Sequence, residues 1–411
     1  MATSNPVHLA VKVISILREF AVFLLLGTFV ALAWANLDFA GYEHFIESSL
    51  FHAGWLIHEG DGGVSLHFLF NDVFMVLFFG VAMKEVSESF LPGGALSSVR
   101  KLAMPALATA GGVLGPILIF FVLHSLLRPE PSFSGGWAIP TATDIAYSWL
   151  AAGMIFGRRH PAVTFLLVLA VLDDLVGMII IATVYTPDVH LAWLGLVVLA
   201  VVLCEWMRQK GVTSFWPYIL LGGPLSWFGL HFTGVHAALS LVPVIPFLPH
   251  GERDAGLFEE IRGNGGDPRD TMTRFEHFFK PIVDLGLFGF GLTNAGVLLN
   301  GEAFSGKATW IILLSLLIGK TLGIFGFAAV GRGLGLELPE GLRLRQMLAL
   351  GMIAGIGFTV ALFVTTVYVG TGTNPEVHHI AGQLKLGALL SFSAAPLAFL
   401  MGKLLGVERR L

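Results

Sequence analysis

The chain has 411 residues, 55% of them hydrophobic and only 13% charged, with a mean hydropathy of +0.79. These values exclude an ordinary soluble protein, and 50 glycines suit close helix packing in lipid. The net charge of −4 says little, no nucleic-acid partner is expected, and the lone Cys204 excludes a disulfide framework or a cysteine-rich metal site.

About 20 apolar residues span a bilayer. On that measure spanning segments are predicted near 16–36, 68–88, 102–127, 137–157, 161–185, 190–208, 214–230, 232–249, 280–300, 308–330, 346–369 and 380–404. No small-residue cleavage site follows the first, which reads as a retained helix and not a signal peptide. Residues 37–66 form an outside loop without Lys or Arg. It carries His44, His52 and His58, with His67 just beyond, beside Glu43, Glu47, Glu59 and Asp61. Their spacing matches no compact ligand pattern, so a polar loop or short hairpin is preferred to a metal site. Residues 250–273 read as a cytoplasmic linker. It divides a single transmembrane domain (1–411) into segments 1–8 (1–249) and segments 9–12 (274–411).

Charge sets the orientation. Of 24 Lys and Arg, Lys320 and Lys385 fall within segments, and only Arg128 and Lys307 lie on the opposite side from all the others. The positive-inside rule then puts both termini in the cytoplasm, which requires an even number of spans.

Asp173 and Asp174 sit midway along the apolar run from Pro161 to Tyr185. Each carboxylate there costs roughly 2.5–3.5 kcal/mol to insert, and the two repel each other. A pair kept only for packing is improbable at that cost, so protons and cations are the expected ligands. Consecutive helical residues point about 100° apart, so the two cannot face one ligand together.

Two segments are interrupted. The fourth reads Gly135-Gly136-Trp137-Ala138-Ile139-Pro140-Thr141-Ala142-Thr143-Asp144, in which Pro140 removes a donor and Thr141 and Thr143 supply hydroxyls. The eleventh carries Gly351, Gly355 and Gly357, then Phe358-Thr359. Either alone is compatible with a kink. Each is, however, the middle member of a three-helix set, 3–4–5 and 10–11–12, which points to an inverted repeat with its binding site at the junction. Asp144 and Lys320 are placed to neutralise the half-helix ends that such breaks expose.

Six stretches carry a family resemblance: Thr141-Ala142-Thr143-Asp144-Ile145-Ala146, Asp173-Asp174-Leu175, Gly234-Val235-His236-Ala237, Asn294-Ala295-Gly296-Val297, Gly319-Lys320-Thr321-Leu322-Gly323 and Gly355-Ile356-Gly357-Phe358-Thr359. In that order they resemble the NhaA-type Na+/H+ antiporters. The resemblance implies an all-α membrane protein of about 12 helices, with two inverted three-helix repeats and two broken, crossing helices. It implies that Asp174 is the principal cation ligand and proton carrier, with Asp144 and Thr143 at the ion site and Asp173 partnering Lys320. It further implies a structural role for Asp72, a link between His236 and the pH response, and dimer contacts through residues 37–66. Lys385 also matches a family lysine.

This chain departs from the family pattern after the second segment, in Gly80-Val81-Ala82-Met83-Lys84-Glu85-Val86-Ser87. Lys84 is retained, but Ala82, Glu85 and Val86 replace a family Glu, Arg and Glu. That cluster is tied to pH sensing, which puts the set-point here in question. Asp284 replaces an apolar family position near the start of the ninth segment.

The resulting expectation is a secondary transporter, not an enzyme, in the bacterial inner membrane and without a cofactor. It would exchange cytoplasmic Na+ or Li+ for external H+, electrogenically at two H+ per Na+, in Na+ and pH homeostasis. A Na+-coupled symporter of organic anions shares the broken-helix architecture, but two buried carboxylates and no buried Arg suit a small cation better. An intramembrane aspartyl protease needs its two Asp residues on separate helices, typically with Gly-x-Gly-Asp, which no membrane segment contains.

Overall fold

The computed structural model describes residues 22–52, 63–91, 99–157, 160–186, 189–250, 270–339, 341–370 and 375–406. Most of the predicted linker 250–273 lies outside the described residues, as do residues 16–21 of the first predicted segment and His58, Glu59 and Asp61 of the outside loop.

The first described helix is α1 (Val22–Leu37), and α2 (Phe39–Glu47) follows after Asp38, whose carboxylate caps it by accepting from the Gly41 N–H. A two-stranded antiparallel hairpin, β1 (Ser49–His52) with β2 (Gly63–Ser65), then leads into α3 (Leu66–Ser89). Where it is described, the stretch predicted as an outside loop holds a short helix and two paired strands. Within α3 the turn Leu69–Phe74 is widened to a π-helix.

Next come α4 (Val99–Leu127), a 3-10 stretch over Ser134–Thr141, and α5 (Ile145–Phe156). The predicted fourth segment, 137–157, is therefore α-helical only in its second part, because Pro140 cannot donate to a continuous ladder. Pro161 opens α6 (Pro161–Val184) at its first turn, where no donor is needed, and His160 Nδ1 accepts the Ala162 N–H at 3.1 Å. Helices α7 (Leu194–Gln209) and α8 (Gly223–Thr233) complete the first part.

The predicted eighth segment, 232–249, is not a helix. Gly234 ends α8 in the left-handed conformation (φ 95°), and the chain continues in 3-10 turns at Ala237–Leu239 and Ile245–Phe247. Pro243 and Pro246 deny this stretch the donors that a ladder requires.

In the second part α9 (Thr271–Asn294) starts nine residues before its predicted segment, capped by Asp270, and encloses Arg274, Glu276, Lys280 and Asp284. Then follow α10 (Gly301–Ser305), α11 (Lys307–Gly333), α12 (Gln346–Ala354), α13 (Phe358–Gly370) and α14 (Glu376–Leu404). Among the described residues six helices are long and apolar enough to cross a membrane, or seven if α12 and α13, bent by 45° at their break, count as one span.

Glycine lets α4 and α11 meet backbone to backbone. A Cβ on Gly323 would fall against the Gly111 carbonyl, and one on Gly115 against the Gly319 carbonyl. Without a hydrophobic drive between helices in lipid, such small-residue contacts supply the packing that fixes this pair.

Candidate functional site

The two interruptions meet. The Asp144 N–H donates to the Ile356 carbonyl at 2.7 Å, and Ser148 Oγ to the Ile353 carbonyl at 3.2 Å. Helix breaks leave orphan donors and acceptors, and here each break satisfies groups freed in the other.

Asp144 serves two helix starts. Its Oδ1 accepts the Tyr147 N–H of α5 at 3.2 Å. Its Oδ2 accepts the Thr359 N–H of α13 at 3.2 Å and the Thr359 hydroxyl. A single carboxylate thus faces the positive ends of two helix dipoles.

Thr143, the residue before it, faces the opposite kind of terminus. Its Oγ1 lies 2.9 Å from the Ala354 carbonyl at the C-terminal end of α12 and 2.7 Å from Asp173 Oδ2. Lys320 Nζ donates to the same hydroxyl at 2.7 Å and forms an ion pair with Asp173 Oδ2. Lys320 is 0% exposed and Asp173 1%. The cation therefore sits where the negative end of α12 and a carboxylate converge, so the charge is buried only in company.

Asp174 is turned away from this pair. It is 7% exposed, and its Oδ1, like Asp173 Oδ1, has no hydrogen-bond partner among the described residues; unlike Asp173, it has no ion-pair partner among them either. The charges that act on it are Asp173, Asp144 and Lys320. A buried carboxylate oxygen left open in this way is poised for a proton or a hard cation, which prefers oxygen ligands. Thr143, expected near the ion, is committed by these bonds to Asp173 and Lys320.

The remaining candidates form two further groups. Asp72 lies in the π-turn of α3, with its Oδ1 3.8 Å from His236 Nδ1 and its carbonyl accepting from Trp227 Nε1 at 3.1 Å. At the other end of α3 the fully buried Lys84 contacts Glu88 at 2.7 Å, Glu276 of α9 at 2.6 Å and Glu85 at 3.6 Å. Glu276 also meets Lys280 at 3.3 Å. Asp284 is buried in the middle of α9, not at its start. Lys385 is half-buried on α14, and His44 and His52 stand on separate elements of the hairpin region.

Sequence reasoning gave no role to Thr359, Glu276 or Glu88. The i, i+4 spacing of Glu276 and Lys280 is visible in the chain, but pairing with Lys84 depends on two distant helices meeting. Thr359 stands in one of the family stretches, but its bond to Asp144 could be found only through the contact between the two breaks.

Comparison with known proteins identifies the family. The family model described as Na+/H+ antiporter 1 matches residues 12–404. A protein of Geobacter sulfurreducens named Na(+)/H(+) antiporter NhaA is 48% identical over 404 residues, covering 97% of this chain and 99% of that one. Proteins of the same name from Geobacter metallireducens, 47% identical over 97% of this chain and 99% of theirs, and Desulfitobacterium hafniense, 45% identical over 97% of both, are similar throughout. The chain belongs to the Na+/H+ antiporter 1 family.

Proposed function

We propose that this protein exchanges cytoplasmic Na+, or Li+, for external H+ across the bacterial inner membrane, with Asp174 as the group that carries either ion. The observation that carries the reading is that Asp174, among the described residues, makes no hydrogen bond or ion pair, while the adjacent Asp173 is paired with Lys320. Among the described residues no arginine is buried, which suits a small cation and not an organic anion.

In this mechanism ionised Asp174 takes Na+, with further oxygens from Asp144, the unwound backbone or water. A proton arriving from the other side displaces it, since one carboxylate cannot hold both. The second proton is held by the coupled Asp173–Lys320 pair, so that two H+ return for each Na+ and the cycle moves net charge. Alternating access comes from rocking of two inverted three-helix sets, built around α4–α6 and α11–α14, against the other helices. In this reading the chain makes twelve crossings, counting irregular stretches. Both termini and the 250–273 linker are cytoplasmic, as the Lys and Arg distribution implies, and two copies associate through residues 37–66.

The test is Na+-driven pH change in proteoliposomes. Asp174→Asn should abolish exchange while leaving the protein folded; exchange that survives this change would overturn the assignment.

A further inference from the structure

We propose that Thr366 and Asn294 form a latch that closes the outer side of the ion site and must part when the site opens outward. The proposal rests on the rocking-bundle reading above, in which α13 moves relative to α3 and α9.

Thr366 lies eight residues beyond Phe358, about 12 Å along α13 from the break, toward the Gly370 end that charge bias places outside. Its Oγ1 donates to Asn294 Oδ1 at 2.8 Å, at the C-terminal end of α9. Asn294 is fully buried, and its amide nitrogen reaches Asn71 Oδ1 on the π-turn of α3 at 3.1 Å. One side chain therefore ties the moving helix to both helices it must leave. One turn inward on the same face of α13, the Phe363 ring packs against Phe79 of α3 and His236, with centroids 5.1 and 5.0 Å away. Aromatic packing below and a hydrogen bond above seal the same seam.

The latch is also built to release. Thr366 Oγ1 has a second acceptor within its own helix, the Leu362 carbonyl at 3.1 Å. On separation the hydroxyl keeps a partner, and only Asn294 Oδ1 needs a new one, which water entering from outside supplies. A latch that orphaned its donor would resist opening more strongly. The π-turn that presents Asn71 is the kind of local irregularity that recurs at functional sites.

The experiment follows the accessibility of a cysteine below the latch. Leu362→Cys in a Cys204→Ala background places one thiol a turn inward of Thr366, in reconstituted full-length protein. A membrane-impermeant maleimide is added from the outer or the inner face. Adding Thr366→Val should raise the outer-face labelling rate roughly 2- to 10-fold, the equilibrium weight of one hydrogen bond, without raising the inner-face rate. Thr366→Ala should repeat the effect, and Thr366→Ser should restore the original rate. An unchanged outer rate, or a rise shared by both faces, would overturn the latch. Labelling requires no ion exchange, so its outcome is independent of whether Asp174→Asn transports.

Discussion

Asp144, on one broken segment, accepts both the backbone N–H and the hydroxyl of Thr359 on the other. The carboxylate belongs at once to two helix starts, so its position registers any shift between them. Thr359→Val keeps the shape but removes the hydroxyl. Loss of a hydrogen bond to a charged group should cost roughly 1.5–3 kcal/mol and weaken apparent Na+ affinity, whereas Thr359→Ser should stay near wild type. Thermal unfolding in detergent and the Na+ dependence of exchange measure the two effects.

Lys320 and Asp173 should behave as a unit. Removing one partner leaves a buried, uncompensated charge, at roughly 3–5 kcal/mol. Lys320→Met alone should therefore destabilise more than Lys320→Met combined with Asp173→Asn. A double-mutant cycle on thermal midpoints checks this; additive losses would mean that the pair is not coupled.

The Lys84 cluster separates contacts within a helix from contacts between helices. Glu88 reaches Lys84 along α3, while Glu276 reaches it from α9. Glu276→Gln should lower the thermal midpoint more than Glu88→Gln, because it loosens a link between two elements as well as a charge pair. Equal effects would assign the stability to charge balance alone.

Packing of α4 on α11 offers a test without charge. Gly323→Leu must push α11 away from the Gly111 backbone, and overpacking of this kind costs roughly 1–3 kcal/mol or more. Gly326, in the same helix, has nothing within 4 Å of a built Cβ, so Gly326→Leu should be neutral. Yield and monodispersity in detergent distinguish them.

Two H+ per Na+ moves one net charge per cycle, worth about 2.3 kcal/mol at 100 mV. Exchange in vesicles should accelerate under an imposed potential of one sign and slow under the other. Insensitivity to voltage would establish equal exchange.

Composition and apolar run length alone made this a helical membrane protein, and two adjacent carboxylates midway along such a run marked the candidate site, because unpaired charge in hydrocarbon is too costly to be idle. Pro140 and the glycines around Ile356 announced both breaks, since a missing donor or an absent side chain is a local property. The 232–249 stretch misled because hydropathy measures burial and not backbone geometry; Gly234, Pro243 and Pro246 were the better guide. Charge likewise made α9 look shorter than it is, for Glu276 is sheltered by Lys84 and not by water. Which of the two adjacent Asp residues faces Lys320 and which is left open depends on the rotation of α6 against α11. The family resemblance implied that division of Asp173 from Asp174, but only tertiary packing gives the physical reason that Asp173 meets Lys320, because a helix supplies their angular separation but not the direction in which either one points.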